Sequence, residues 1–203
     1  MDNATLKGTT TIGLVCKDGI VFAADKRATM GYFIANKETP KIFQIDDKMA
    51  ITTAGSVGDA QTLIRWIKAE IALYKQKGTV TVKGVTTLLS NILASSKYFP
   101  FLVQLLVGGV DKNPKIFALD PIGGVTEEKA VSTGSGSPIA YGVIETSYKE
   151  GKTVEENISL ALNALTAATK RDCGSGDGID LVTITNAGFK RYTEEEIKNL
   201  MKK

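Results

Sequence analysis

The chain has 203 residues, 43% of them hydrophobic, enough to bury one sizeable core in a single domain. It contains no histidine, which excludes every mechanism that needs a histidine base when the chain acts alone. Its two cysteines, Cys16 and Cys173, make neither a disulfide framework nor a metal centre, and a scattered net charge of +3 leaves no nucleic-acid footprint.

Residues 1–8 lack the apolar stretch of a secretory signal. Residues 9–16 and 19–25 read as strands joined by Asp18-Gly19, where glycine is expected to supply a positive φ. Residues 41–45 and 49–54 are further short strands around Asp46-Asp47. A long helix follows, with Ala60, Leu63, Ile64, Ile67, Ile71 and Tyr74 on one apolar face and Gly78 as its stop. A second helix is expected to bury Val85, Leu88, Leu89, Ile92 and Leu93, with Pro100 beyond its end. Strands resume at 101–107, 115–119 and 130–133, with Gly123-Gly124 as a turn. Ser137-Pro138 reads as an N-cap followed by the first helical residue of a helix to about Lys149, stopped by Gly151. Thr153 to Glu156 is a capping box for a helix that faces inward with Ile158, Ala161, Leu162, Leu165 and Ala168. Strands at 180–185 and 189–192 flank Asn186-Ala187-Gly188, and a second capping box from Thr193 to Glu196 opens a short last helix.

Short hairpin connections point to antiparallel sheets rather than βαβ units, and two helix pairs need two sheet faces to cover. A sheet-on-sheet sandwich with helices on both outer faces meets that count. The longest apolar run, 99–107, is broken by Pro100 and Gln104 and is too short to span a bilayer. A soluble cytoplasmic protein is expected, with no membrane partner.

Chemistry is concentrated in a few places. Thr9 follows Gly8, and a threonine hydroxyl becomes a competent nucleophile only beside a base. If the Gly8–Thr9 bond is cut, the new α-amine is such a base, since an α-amino group ordinarily titrates at roughly 7.7–8.0. Taken alone, the same residues read more simply as a disordered tail meeting a β-branched first strand. Asp25-Lys26-Arg27 ends one strand and Lys41 begins another. A lysine near the Thr9 hydroxyl would stabilise its alkoxide, and a carboxylate would hold that lysine, although an isolated lysine is usually surface charge. Gly55 and Gly58, with Asp59, form a connection that can aim a backbone N–H at an oxyanion or simply turn the chain. Thr133 to Ser137 is a glycine- and hydroxyl-rich entry to a helix without a nucleotide-binding signature. Arg171 to Gly178 is rich in acceptors but places glycines where an EF-hand needs ligands. Cys173, lacking a histidine partner, is expected to be a small buried filler.

Read together, Gly8-Thr9-Thr10-Thr11, Ala24 to Gly31, Lys41-Ile42, Ala54-Gly55 with Gly58 to Gln61, Leu106 to Asp111, Ser132 to Ser137, and Arg171 to Gly176 resemble the catalytic β-type subunit of the archaeal proteasome core particle. The match runs from Thr9 almost to the C-terminus. The resemblance implies an α+β, four-layer αββα sandwich of two antiparallel sheets flanked by helices, the N-terminal-nucleophile hydrolase fold. It implies a leader of residues 1–8 removed at Gly8–Thr9 and a single catalytic domain at 9–203. Thr9 would be nucleophile and, through its amine, base. Asp25 and Lys41 would be the charge pair beside it, and the Gly55 N–H the oxyanion donor. Ser135, Asp172 and Ser175 would position the Thr9 amine. Ala28, Thr29, Thr53, Gly55 and Val57 would bind substrate, with Thr53 standing where an apolar pocket residue is expected. No metal and no cofactor are implied. The expected partners are other β-type subunits in seven-membered rings, α-type subunits, unfolded polypeptide, and a regulatory ATPase acting through the α ring. The implied activity is that of a threonine endopeptidase. The alternatives are a noncatalytic structural β-type ring subunit that keeps its leader, or a small-molecule amidase with the same N-terminal chemistry.

Overall fold

The computed structural model describes residues 8–202, so residues 1–7 of the expected leader lie outside the described residues. In chain order the elements are β1 (Thr11–Val15), β2 (Gly19–Asp25), β3 (Ala28–Met30), β4 (Phe33–Asn36), β5 (Ile42–Asp46), β6 (Met49–Gly55), α1 (Val57–Lys75) and α2 (Val82–Ser95). They continue with β7 (Val103–Val110), β8 (Pro114–Leu119), β9 (Val125–Glu128), β10 (Ala130–Thr133), α3 (Ser137–Ser147), α4 (Val154–Thr169), β11 (Ile179–Thr185), β12 (Gly188–Arg191) and α5 (Glu194–Leu200).

Two five-stranded sheets result, β10-β1-β2-β11-β12 and β5-β6-β7-β8-β9, with β3 and β4 as a separate hairpin. Every pairing is antiparallel. The pleat sorts side chains into three apolar layers. On β2, Val21 and Ala23 pack with α3 and α4, while Ile20, Phe22 and Ala24 face the other sheet. On the second sheet, Ile51, Leu105 and Val107 meet α1 and α2, while Ala50 and Leu106 face inward. The order helices, sheet, sheet, helices is the expected αββα sandwich. A strand buried on both faces needs an unbroken apolar run, which Ile20 to Ala24 supplies. Phe22 reaches across the middle layer to Gly108, where an added Cβ would come within 2.7 Å of its ring.

The departures from expectation have local causes. Gly19 lies inside β2 with an ordinary φ. It is needed because a side chain there would collide with the Ile184 carbonyl, not because the turn needs a left-handed residue. Ser137 is the first helical residue, and Gly136 occupies the N-cap without a side-chain cap. Tyr74 is exposed, since the α1 stripe ends at Ile71. Cys173 is exposed rather than buried. The β3–β4 hairpin and β9 add to the elements the sequence pattern predicts. Their strands are short and none of their residues is buried, so they carry no strong period-two signal.

Candidate active site

The site forms where the ends of β1, β2 and β5 meet. Asp25 closes β2 and is fully buried, so its two oxygens need protein donors. It has four. Oδ1 accepts from Lys41 Nζ at 2.7 Å and from Thr10 N at 2.9 Å. Oδ2 accepts from Arg27 N at 3.1 Å and Gly176 N at 2.9 Å. Lys41 is 4% exposed, far from the solvated charge that an isolated lysine suggests. Burial pulls its ammonium below the ordinary lysine value, and the Asp25 charge opposes that shift.

Thr9 is held beside this pair by its own backbone. Its N–H donates to Ser135 Oγ at 3.1 Å, and its carbonyl accepts from Gly136 N at 3.3 Å. Its hydroxyl donates to the Gly8 carbonyl at 2.6 Å. Ser135 Oγ and Ser175 Oγ each donate to Asp172 Oδ2 at 2.6 Å. Ser175 reaches Thr10 Oγ1 at 2.7 Å, one residue beyond the Thr9 nitrogen it is expected to serve. Gly8 is buried, and its N–H donates to Thr29 Oγ1 at 2.8 Å. Its Cα packs directly against Gly174, so a Cβ on either glycine would overlap the other backbone.

A cleft of about 280 Å³ opens over Thr9. Lys41, Ala28, Thr29, Thr53, Gly55 and Val57 line it, so every residue expected to bind substrate shares a wall with the candidate nucleophile. Gly55 has φ 118°, a conformation that suits glycine, and a side chain there would strike the Leu102 carbonyl.

Arg27, Phe43 and Gln61, to which the sequence alone assigns no role, also line the cleft. Arg27 donates through Nε to Asp177 Oδ2 at 2.7 Å and through Nη1 to the Cys173 carbonyl at 2.9 Å, fastening the 173–177 loop beside Thr9. The one usable signal is Gly176, where a Cβ would lie 2.6 Å from the guanidinium carbon. That signal cannot be read without knowing which side chain passes.

Residues 5–184 match the family model described as proteasome subunit. The proteasome subunit beta of Methanohalophilus mahii is 59% identical over 206 residues, covering 99% of this chain and 98% of its own length. That of Methanosarcina thermophila is 56% identical over 204 residues, covering 98% and 97%. That of Archaeoglobus fulgidus is 55% identical over 201 residues, covering 97% and 94%.

Proposed function

The chain belongs to the archaeal proteasome β-subunit family, and from that premise we propose that it is a threonine endopeptidase of the core particle. The observation that carries the reading is the Thr9 hydroxyl at 2.6 Å from the Gly8 carbonyl oxygen, in a cleft that the buried Lys41 also lines. In maturation, Thr9 Oγ attacks the Gly8 carbonyl carbon and the peptide nitrogen leaves as an amine. Water then hydrolyses the resulting ester, releasing residues 1–8.

The mature reaction repeats this chemistry on a foreign peptide bond. The Thr9 amine takes the hydroxyl proton as Oγ attacks, then delivers it to the departing amine. Lys41, fixed by Asp25, stabilises the developing charge on Oγ, and the Gly55 N–H serves the carbonyl oxygen. Ser135, with Asp172 and Ser175 behind it, orients the amine. Water hydrolyses the acyl ester and regenerates Thr9.

Substrate lies extended along β3 beside Thr29, opposite Gly55, with side chains entering the pocket of Ala28, Thr53 and Val57. A backbone-led site of this kind suits unfolded polypeptide. The subunit works in seven-membered rings with other β-type chains, stacked against α-type rings through which a regulatory ATPase feeds the chamber. We place it in the cytoplasm; no helix among the described residues is long and apolar enough to cross a membrane.

Intact mass after assembly, compared with Thr9→Ala, tests the reading. The parent chain should lose residues 1–8 and hydrolyse peptides, and Thr9→Ala should assemble, keep its leader and be inactive. Substantial turnover by Thr9→Ala would sink the mechanism. A parent chain that assembles with its leader intact would instead be a structural ring subunit.

A further inference from the structure

Lys41 sits at the start of an edge strand. β5 is the outermost strand of its sheet and pairs only with β6 among the described residues. The Lys41 carbonyl accepts from Thr53 N at 2.9 Å, so it turns toward β6. Antiparallel alternation then turns both polar groups of the next residue, Ile42, away from β6. Ile42 is buried, and buried backbone groups need partners.

A single ion pair from the opposite sheet covers this peptide. Arg191 Nη2 donates to the Ile42 carbonyl. The Ile42 N–H faces the Asp180 carboxylate and favours its charged form. Arg191 Nε closes the ring by donating to Asp180 Oδ1 at 3.1 Å. Asp180 lies on β11, which pairs with β2 so that Ile179 is opposite Asp25. Arg191 ends β12, paired with Val182 of β11. The strand pair that flanks Asp25 therefore also grips the peptide next to Lys41.

We propose that Asp180 and Arg191 are positioning residues: they replace the neighbouring strand that β5 lacks and thereby fix Lys41 against Asp25 and Thr9. The proposal rests on the catalytic role given to Lys41 above. Asp180 is buried while its partner is partly exposed, so the clamp is anchored in the core and reaches outward. Burial pushes the Asp180 carboxyl up and the Arg191 charge opposes it, so each member sustains the other. Reacting groups held only by one flexible side chain lose geometry easily, and an error near 1 Å can cost on the order of 10² in rate.

The test uses assembled particles whose chain begins at Thr9 by design. Arg191→Met removes both donors at similar length, Arg191→Lys keeps one, and Asp180→Asn keeps an oxygen for the Ile42 N–H but ends the ion pair. Arg191→Met and Asp180→Asn should lower kcat by about tenfold or more with KM within about twofold, and Arg191→Lys should fall between. Acylation of Thr9 by a β-lactone, followed by mass, should slow in parallel. In a Lys41→Ala background the clamp substitutions should add nothing further to that slowing. Unchanged kcat in both variants, or a slowing that persists without Lys41, overturns the clamp. Full activity of Lys41→Ala itself overturns the catalytic reading beneath it. Should Arg191→Met fail to assemble, Asp180→Asn carries the same comparison.

Discussion

On the proposed mechanism, Gly174→Ala should separate the chemistry of maturation from that of turnover. The new methyl would point at the Gly8 Cα and also lie 3.2 Å from Gly8 N and 3.3 Å from Gly8 C. Carbon atoms in good contact stand roughly 3.5–4.0 Å apart, so the methyl overlaps backbone that cannot rotate away. Gly174 has no positive φ, so alanine itself is unstrained there. Forcing an extra methyl into a packed site costs about 1–3 kcal/mol, which lowers the population of the cleavage-ready geometry by about 5- to 150-fold. Self-cleavage should slow by that factor, read as intact mass against time after assembly. Once residues 1–8 are gone the overlap is gone too. The Gly174 N–H keeps its 3.3 Å bond to Asp172 Oδ1, because alanine retains the donor. A Gly174→Ala chain made to begin at Thr9 should therefore hydrolyse peptides within about twofold of the parent, well inside the tenfold change that about 1.4 kcal/mol would bring. Maturation at the parental rate would refute the packing argument. A pre-trimmed variant with badly impaired turnover would show that Gly174 serves catalysis directly.

Lys41→Ala in the pre-trimmed chain should leave the fold intact, because Asp25 retains three backbone donors, while turnover falls on the order of 10²–10³. Near-parental kcat would return Lys41 to a structural role. If the Thr9 amine is the base it must be neutral, so activity should rise with pH, and the Lys41 charge should bring the midpoint below the ordinary α-amine value of about 7.7–8.0. Acetylating that amine should abolish activity with the hydroxyl intact; retained activity would exclude it as the base. Burial, partly offset by the Asn157 amide, pushes the Cys16 thiol up from 9.0 to about 11. The unfolded chain then loses its proton first, so stability is full below pH 9 and is lost as pH rises from 9 toward 11, by about 3 kcal/mol at roughly 1.36 kcal/mol per pH unit. Urea midpoints of Cys16→Ala should decline less over that window; equal slopes would assign the alkaline loss elsewhere.

Most of the architecture is legible in the sequence because buried elements write their period into the chain. The stripe from Ala60 to Ile71, the capping boxes at Thr153 and Thr193, and the apolar run of β2 are all as the pattern predicts. The exposed strands are not legible, since β3, β4 and β9 have little to bury and are defined by pairing alone. Glycines mislead in a consistent way. Gly19 and Gly174 are required by another segment's backbone, and nothing within a few residues encodes that neighbour. Lys41 shows the limit most clearly. As a single residue it is ordinary surface charge, and its burial follows from the Asp25 carboxylate that a different strand delivers. The full set of motifs points to the pair, whereas the clamp behind it becomes visible only with both sheets in place.

Under the proposed mechanism, the bonds around residue 9 bear on when the subunit becomes reactive. Its carbonyl rests on Gly136, and the following N–H rests on Asp25. Both moorings lie downstream of the bond to be cut. On the proposed mechanism, severing that bond would convert an amide nitrogen into a free amine without asking the nucleophile to travel. The entropy of aligning hydroxyl, lysine and carboxylate is spent while the chain folds, before any substrate arrives. Assembly and ignition would thereby be decoupled under the proposed mechanism: a particle could be architecturally finished yet inert, and a single hydrolysis would start it without refolding.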